Sequence, residues 1–350
     1  MTKKLPNVAR ASAPLLAILL TLGWGLTEMS HAGKKAKPVT LIFDTDMGND
    51  IDDALALGVI HALQSRGECR LSAVTISKGN PYCAPFIDAI NTFYGCGEIP
   101  IGMVEKGATP EDGKYLRPPL DAKNGAAVRY PRKLKSGADA VDAVTLLRRQ
   151  LAAAADDSVT LVVVGFSTNI AKLLDSPADA ISPLTGKELL KRKCPLLSIM
   201  AGNFGDKPAP EYNVVEDLAA AREVYAEWPT QIVASGFEVG LAIKYPAASI
   251  ERDFNYVEHH PLREAYELYM KMPYDRETWD LTSVLYAVRP DRGYFSLSEP
   301  GTITVDDKRL TRFTPAADGR HRYLKVDAEQ IARVREALVQ LASQPPDVKK

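Results

Sequence analysis

Residues 39–62 read VTLIFDTDMGNDIDDALALGVIHA, and this stretch decides the expected fold and chemistry of the chain. An apolar run typical of a buried strand leads into an acidic cluster, and a helical pattern follows directly. The cluster comprises Asp44, Asp46, Asp50, Asp52 and Asp53. Two unit charges a few ångströms apart repel by about 1 kcal/mol even in water, and by more where water is excluded. Because no Lys or Arg lies inside the cluster, we expect a hard divalent cation there, Ca²⁺ or Mg²⁺ rather than zinc or copper.

Outward from this stretch, apolar runs rich in β-branched residues alternate with helical patterns. Continuous apolar runs are typical of strands that are buried on both faces of a parallel sheet. The predicted strands span 39–46, 71–77, 100–104, 159–165, 195–200 and 230–235. The predicted helices span 52–65, 84–95, 138–155, 168–175, 216–227, 261–271 and 281–288. This alternation predicts an α/β fold with a single open, doubly wound, mostly parallel sheet.

Three other segments are predicted from their composition. Residues 105–136 are rich in Gly, Pro, Lys and Arg, which favours a long surface loop that could cover a site as a lid. The segment TITVDDKRLTRF after Pro300 predicts a C-terminal β-hairpin, and 327–343 predicts a final amphipathic helix. Residues 345–350 are expected to be a disordered tail.

The N-terminus has the pattern of a cleavable signal peptide over residues 1–32. A positive start precedes an apolar core at 13–26, and Ser30-His31-Ala32 supplies small residues for cleavage. An uncleaved membrane anchor is the competing interpretation. We therefore expect an exported, periplasmic or secreted protein, with one α/β domain over 33–344 and no stable membrane insertion after cleavage.

Export would permit disulfides, and the four cysteines are Cys69, Cys83, Cys96 and Cys194. A helix between Cys83 and Cys96 would hold them about 20 Å apart, too far for a bridge. We expect a Cys69–Cys96 bridge instead. No Cys/His spacing indicates a zinc site. The formal net charge is −1 and no basic stripe is present, which argues against nucleic-acid binding.

Polar residues follow several of the predicted strands. Ligands of open parallel sheets bind beyond the carboxyl ends of the strands, so these residues are expected to meet at one edge. They are Asp44 and Asp46, Lys78 with Gly79 and Asn80, Val164 with Gly165, and Gly202 with Asn203. Glu211, Asn213, Trp279 and Asp280 precede two of the later helices. This convergence indicates a ligand site more strongly than any single motif.

On these residues the chain resembles the calcium-dependent nucleoside hydrolases of the inosine–uridine type. The family's opening Asp-x-Asp-Pro-Gly-x-Asp-Asp-Ala pattern corresponds to residues 44–54, DTDMGNDIDDA. Its later motifs correspond to Gly79-Asn80, Val164-Gly165-Phe166-Ser167-Thr168-Asn169-Ile170-Ala171, Met200-Ala201-Gly202, Glu211-Tyr212-Asn213 and Asp280. The resemblance spans about residues 39–290 in consistent order and implies the Rossmann-like nucleoside hydrolase fold.

The resemblance also implies roles for the matched residues. Asp46, Asp53, Asp280 and the Val164 carbonyl would bind Ca²⁺, and Asp46 would be the general base on a metal-bound water. The residues expected to contact substrate are Asp52, Asn80, Met200, Asn203, Glu211, Asn213 and Trp279. The implied reaction is hydrolysis of a ribonucleoside N-glycosidic bond to free base and ribose. A homo-oligomer is also expected, since relatives commonly form dimers or tetramers.

The chain departs from the family pattern at three places. Its acidic stretch is two residues longer, so Asp50 could displace a neighbour from its role. Trp279 replaces a histidine, and an aromatic face would favour a purine base. The usual His-Gly loop is not evident in 105–136, so the group that protonates the leaving base is open. Tyr115 and Tyr130 in that segment are candidate base-stacking groups.

Two other functions remain as alternatives. A non-catalytic, exported nucleoside or sugar receptor would suit the export signal and the absent histidine. A phosphatase of the haloacid-dehalogenase type would use Asp44 and Asp46 after the first strand as its nucleophile pair. Gly48 stands where that family wants Thr or Val, and no convincing Ser/Thr and Lys partners follow.

Overall fold

The quoted stretch forms a strand, a loop and a helix in a computed structural model, which describes residues 1–5 and 37–347. Strand β1 is Val39–Thr45, helix α1 is Asp52–Ser65, and residues 46–51 between them are called here the acidic loop. Side chains of β1 alternate between two cores: Leu41 and Phe43 enter one, and Ile42 enters the other. The continuous apolar run therefore fits a strand that is covered on both faces.

The remaining strands in the described residues are β2 Cys69–Lys78, β3 Ile101–Ala108, β4 Lys123–Asn124, β5 Ala127–Val128, β6 Val141–Asp142, β7 Val159–Val163, β8 Leu196–Met200, β9 Gln231–Ser235, β10 Lys244–Tyr245, β11 Arg276–Glu277, β12 Ser296–Leu297, β13 Gly301–Val305, β14 Thr311–Pro315 and β15 His321–Lys325. The remaining α-helices are α2 Cys83–Phe93, α3 Arg117–Asp121, α4 Ala143–Ala153, α5 Thr168–Asp175, α6 Gly186–Lys193, α7 Tyr212–Glu216, α8 Leu218–Glu227, α9 Phe237–Ala242, α10 Ala247–Arg252, α11 Pro261–Tyr269, α12 Trp279–Val288 and α13 Ala328–Ala342.

The main sheet has the order β14-β13-β15-β9-β8-β7-β1-β2-β3-β6, with β12 paired to β15. The strands from β15 to β6 pair in parallel, whereas β13 and β14 form an antiparallel hairpin. The predicted doubly wound sheet and C-terminal hairpin are confirmed. From β1 the chain first builds outward through β2 and β3, then returns to place β7 on the other side of β1. The strand order thus reverses between β1 and β7, where such folds bind their ligands.

Helices cover both faces of the sheet and bury two separate cores. Helices α1, α2, α11, α12 and α13 pack over one face, and α4, α5, α6 and α8 pack over the other. Helix α1 is buried along nearly its whole length, because α12 and α13 cover the side that faces away from the sheet. Its acidic start is therefore held inside the protein rather than in solvent.

The segment 105–136 is more ordered than the sequence predicts. Strand β3 extends into it, α3 and the β4–β5 hairpin follow, and Tyr115 and Leu116 are fully buried. Proline at the first positions of α3 suits a helix start, where a backbone N–H would lack a helical partner anyway. Tyr115 and Leu116 therefore fix this segment against the acidic loop, whereas the composition of residues 105–136 alone predicts a solvated segment.

The predicted Cys69–Cys96 bridge is wrong, because the described residues contain no disulfide. The buried thiol of Cys69 donates to the Ile60 carbonyl of α1 at 3.7 Å, while Cys96 Sγ accepts from Gln64 Nε2 at 3.3 Å. The signal-peptide prediction, residues 1–32, falls almost wholly outside the described residues. Residues 345–347 of the predicted tail are described and 348–350 are not. Within the described ranges, every helix is too short or too polar to cross a membrane.

Candidate active site

A cleft of about 520 Å³ opens at the edge where the strand order reverses. It lies beyond the carboxyl ends of β1, β7 and β8, so backbone from both halves of the sheet meets there. Nine of the eleven predicted site residues line it: Asp46, Asp52, Asp53, Val164, Met200, Glu211, Asn213, Trp279 and Asp280. Segments far apart in sequence are thus brought to one wall, as the convergence of polar residues predicted.

Three carboxylates at the floor of the cleft form a compact group, called here the carboxylate triad. Asp52, Asp53 and Asp280 each offer an oxygen within 4.8 Å of the others, and all three are buried. The Asp280 backbone N–H donates to Asp52 Oδ2 at 3.0 Å, and the Thr45 hydroxyl donates to Asp53. The sequence placed Asp46 in this metal group and Asp52 on substrate. In the structure, Asp52 joins Asp53 and Asp280, while Asp46 lies beside the triad.

Burial is the main influence on these acids. It raises the pKa of each triad carboxyl well above its usual value, and repulsion among the neighbouring aspartates adds to this. A cluster of this kind binds protons or a cation rather than remain fully charged and bare. Three buried carboxylates offer only oxygen ligands, the donor type that hard divalent cations prefer. The described residues therefore fit a divalent metal ion of the calcium or magnesium class.

Asp46 lies next to the triad and lines the cleft. It follows β1 directly, and its Oδ2 accepts a hydrogen bond from Asn49 Nδ2 at 2.7 Å. Burial raises its pKa to about 6, against the lowering effects of the Asn49 hydrogen bond and the Lys78 charge. A carboxyl with this pKa is largely ionised near neutrality but accepts a proton more readily than an exposed aspartate.

Glu211 and Asn213 line the cleft and hydrogen-bond to the backbone around it. Glu211 caps α7 by accepting from the backbone N–H groups of Asn213 and Val214, and also from that of Gly202. Burial nevertheless raises its pKa to about 7. Asn213 Nδ2 donates to the carbonyls of Val164 at 2.8 Å and Met200 at 3.1 Å. This amide therefore joins the ends of β7 and β8 at the wall of the cleft.

Two predicted substrate residues do not line the cleft. Asn80 Nδ2 donates to the Pro110 carbonyl and to Asp112 Oδ1, both at 2.9 Å, so Asn80 anchors the segment after β3. Asn203 closes a turn, since its Oδ1 accepts from the Gly205 N–H and its Nδ2 donates to the Lys207 carbonyl. Both asparagines stand next to glycines, where a turn role is also typical of asparagine.

Two cations lie against the acidic loop: Lys78, which the sequence placed at this edge of the sheet, and Arg276, which the sequence did not indicate. Arg276 Nε donates to Asp50 Oδ1 at 2.8 Å and its Nη2 contacts Asp50 Oδ2, so the pair is bidentate. The buried Lys78 donates to Asn49 Oδ1 of the loop at 2.6 Å. The cluster is therefore compensated in part by side chains from elsewhere, and Asp50 is drawn to Arg276 rather than into the triad. No local pattern could have revealed a partner 226 positions away.

Aromatic rings line the mouth of the cleft. Trp279 stacks on Phe237 with ring centroids 5.4 Å apart, and its indole N–H donates to the Phe237 carbonyl at 2.8 Å. Tyr212 and Tyr269 also line the cleft, and the Arg276 guanidinium lies over both Tyr269 and Trp279. This wall of rings offers flat apolar faces on which a nucleobase could stack.

The structure does not support the stacking role considered for Tyr115 and Tyr130, because both rings are buried outside the cleft lining. The Tyr115 hydroxyl instead donates to the Asp50 carbonyl and accepts from the Gly48 N–H at 2.9 Å. Gly48 has φ +115°, and a Cβ there would lie 2.5 Å from the Leu116 side chain. The segment after β3 therefore fixes the shape of the acidic loop.

Comparison with known proteins identifies relatives over most of the chain. The family model described as "Inosine-uridine preferring nucleoside hydrolase" matches residues 41–339. A curated relative, the pyrimidine-specific ribonucleoside hydrolase RihA of Enterobacter sp. (strain 638), is 30% identical over 223 residues. That match covers 61% of this chain and 64% of RihA. The chain thus aligns with slightly less than two thirds of this relative's length.

Two solved structures share the fold at low sequence identity. A plant nucleoside hydrolase, the PpNRh1 enzyme, has a TM-score of 0.64 at 19% identity, covering 88% of this chain and 100% of that one. An inosine-guanosine nucleoside hydrolase has a TM-score of 0.63 at 20% identity, covering 86% and 99%. At these identities the likeness concerns the fold.

Proposed function

This chain belongs to the family of inosine–uridine preferring nucleoside hydrolases, and from that premise we propose that it hydrolyses the N-glycosidic bond of ribonucleosides, releasing free base and ribose. The observation that carries the proposal is the carboxylate triad beside Asp46 in a cleft walled by aromatic rings. Acids that could hold a metal and accept a proton lie in the same cleft as rings that could hold a base.

We propose Ca²⁺ as the metal. Asp52, Asp53 and Asp280 would hold it, with Asp46 and the Val164 carbonyl as the further ligands that the family resemblance implies. All-oxygen ligation and buried negative charge suit Ca²⁺, which tolerates the irregular geometry of such a site. When bound, the cation would supply Lewis-acid activation of water and orientation of the sugar hydroxyls. It would also compensate the repulsion that adds to burial in raising the pKa of each triad carboxyl.

Asp46 would act as general base. One water O–H bond breaks as its oxygen bonds to the anomeric carbon, and the proton passes to the Asp46 carboxylate. The electron pair of the C–N bond leaves with the base, which takes up a proton to become the free nucleobase. Glu211 and Asn213 lie on the same wall and would contact the ribose. Nearby negative charge would favour the oxocarbenium-like transition state.

The donor that protonates the leaving base would differ from the usual histidine. The described histidines are His61, His259, His260 and His321, and none of them lines the cleft. The donors that do line it include Lys114, Tyr212, Tyr269 and Arg276. One of these would supply the hydrogen bond to the departing base.

The same absence of histidine favours one second candidate, a non-catalytic receptor for nucleosides or sugars. Its cleft would bind the ligand without breaking the glycosidic bond. The haloacid-dehalogenase alternative is not favoured, because Asp44 lies outside the cleft lining, fully buried, with Oδ2 accepting from Thr75 and Asn169. A buried carboxylate that is held in this way cannot attack a phosphate ester.

A panel of ribonucleosides separates the two candidates. The protein is incubated with inosine, guanosine, adenosine, uridine and cytidine, with and without a chelator, and both reducing sugar and free base are measured. A hydrolase releases both in the presence of Ca²⁺. Binding seen by calorimetry without release of base would support the receptor, and phosphate release from an aryl phosphate would support the phosphatase.

We propose a preference for purines, which rests on Trp279 in the aromatic wall. The name of the curated relative specifies pyrimidines. The proposed purine preference therefore rests on the aromatic rings of this chain's own cleft and not on that relative. Trp279→Ala is expected to raise KM for purine nucleosides about 5- to 150-fold, because a stacked base gains about 1–3 kcal/mol. Ca²⁺ affinity, measured by calorimetry, should stay within about threefold, and Trp279→Phe should retain part of the effect. Equal losses of purine binding and of Ca²⁺ binding would show that Trp279 only supports the α12 start.

We also propose that the protein acts outside the cytoplasm as a homo-oligomer. Export rests on the signal-peptide pattern of residues 1–32, and oligomerisation rests on the family resemblance. N-terminal sequencing of the mature protein tests the first of these proposals, and light scattering tests the second.

A further inference from the structure

Lys78 is a fully buried lysine at the end of β2, next to the proposed general base. A buried ammonium is costly unless it is paired and hydrogen-bonded. Its Nζ donates to Asn49 Oδ1 at 2.6 Å and to the Thr109 carbonyl, and Glu111 Oε1 lies 3.6 Å away. The Glu111 side chain is 66% exposed, so that ion pair is screened by water. The hydrogen bonds to Asn49 and Thr109 therefore stabilise the Lys78 ammonium more than the ion pair with Glu111 does.

Asn49 connects this lysine to Asp46. Its amide donates to Asp46 Oδ2 at 2.7 Å and to Thr109 Oγ1 at 3.1 Å. Lysine can only donate and an ionised carboxylate can only accept, so the amide cannot flip without losing both bonds. The hydrogen-bonded series Lys78–Asn49–Asp46 therefore has one arrangement in which every group is paired. In it, the side-chain carbonyl of Asn49 faces Lys78 and the amino group faces Asp46.

Thr109 contacts both Lys78 and Asn49, and its own backbone has an unfavourable conformation. It has φ +48°, a left-handed conformation that is unfavourable for a β-branched residue. In this conformation its hydroxyl accepts from Asn49 and its carbonyl accepts from Lys78. Backbone strain of this kind persists only where the surrounding structure imposes it, and it is concentrated at functional sites.

We propose that Lys78 and Asn49 are positioning residues that fix the Asp46 carboxylate in one orientation for proton transfer, an inference that rests on the proposed hydrolase function. The Asp46 Oδ2 atom accepts from the Asn49 amide, which limits rotation of the carboxylate about its Cβ–Cγ bond. Lys78 influences the orientation of Asp46 through Asn49, because no direct hydrogen bond joins Lys78 to Asp46 among the described residues. A general base that is held in this way needs no reorganisation when it takes the proton.

The test compares Asn49→Ala, Lys78→Met and the double variant by steady-state kinetics on the nucleoside that the wild-type protein hydrolyses best. We expect kcat to fall about 10- to 100-fold in each single variant, with KM within about threefold, because loss of an outer partner misorients the base more than it weakens substrate binding. The kcat of the double variant should be no lower than that of the more impaired single variant, since both residues act on Asp46 through the same series of hydrogen bonds.

Three further variants keep the test independent of folding. Lys78→Arg retains a cation toward Asn49 and should recover part of kcat. Lys106→Met makes the same type of change at an exposed lysine of β3 outside the cleft lining, and it should leave kcat unchanged. Asn49→Asp keeps size and the acceptor for Lys78 but removes the donor to Asp46, so a folded variant with low kcat is expected.

The outcomes separate this inference from the proposed function. Additive kcat losses in the double variant, or full activity of Asn49→Ala and Asn49→Asp, would overturn the positioning role while the hydrolase function stands. Wild-type protein that releases no base from any ribonucleoside would overturn the hydrolase proposal and this inference with it.

Discussion

Asp46→Asn is expected to lower kcat by about 10²- to 10⁴-fold, the usual contribution of a positioned general base. Asparagine has nearly the same shape but cannot take up the proton from water. Burial already raises the pKa of Asp46 to about 6, so a neutral amide removes a costly buried charge and the fold should remain intact. The measurements are kcat on the best nucleoside and the midpoint of urea unfolding.

Asp88→Asn is the matched control, since Asp88 is a buried aspartate outside the cleft lining. Its Oδ2 accepts from the backbone N–H groups of Lys133 and Leu134 at 2.6 and 2.7 Å. This substitution should weaken folding by about 1–3 kcal/mol through lost acceptors, while kcat stays near that of the wild type. Near-normal turnover of Asp46→Asn would refute its assignment as the base.

Removal of divalent metal is expected to lower turnover by at least about 10²-fold and also to destabilise the fold. A ligand present at 100 times its Kd stabilises a protein by about 2.7 kcal/mol. The thermal midpoint should therefore fall by several degrees in chelator and return with added Ca²⁺. Asp53→Asn and Asp280→Asn should reduce this metal-induced shift, because each removes a charge from the triad. A thermal midpoint and activity that are unaffected by the chelator would contradict the metal site.

The pH dependence of the metal effect has a defined sign. The folded-state pKa of Asp46 is raised from 3.8 to about 6, and burial raises those of the triad as well. A raised carboxyl pKa stabilises the fold below about pH 4, and this contribution is lost as pH rises through the folded value. A bound cation keeps these groups ionised and displaces their protons. The stability difference between metal-loaded and metal-free protein should therefore widen from pH 5 to pH 8, as thermal melts with and without chelator would measure.

Much of the fold could be predicted because its determinants are local. The buried strand β1 and helix α1 follow from apolar periodicity, which reports the environment of each face directly. The predicted boundaries of helices and strands are less accurate where short elements intervene. Where a helix is predicted at 138–155, the structure has the end of a 3₁₀ turn at Gly137–Asp139, then strand β6 and only then α4. Ser136 caps that turn and Asp142 caps α4, and these polar caps divide a segment whose apolar pattern is continuous.

The candidate site was predictable in position but not in detail. Strand ends at one edge of a parallel sheet must converge, so nine predicted residues meet in the cleft. Asn80 and Asn203 do not line the cleft, because an asparagine beside a glycine is equally compatible with a role in a turn. Asp52 lies with Asp53 and Asp280 because the first residues of α1 point according to the conformation of the acidic loop, which Tyr115 and Leu116 shape from a distant segment.

By itself, the sequence determined an open parallel α/β sheet and an acidic edge in need of compensating positive charge, because hydrophobic periodicity and charge density are properties of neighbouring residues. Only the tertiary structure decided how that charge is shared. Arg276 pairs with Asp50, and Lys78 donates to Asn49, which in turn donates to Asp46. Coulombic and hydrogen-bond partners are selected by distance in space, and folding brings these groups within 3 Å across separations in sequence that no local pattern records.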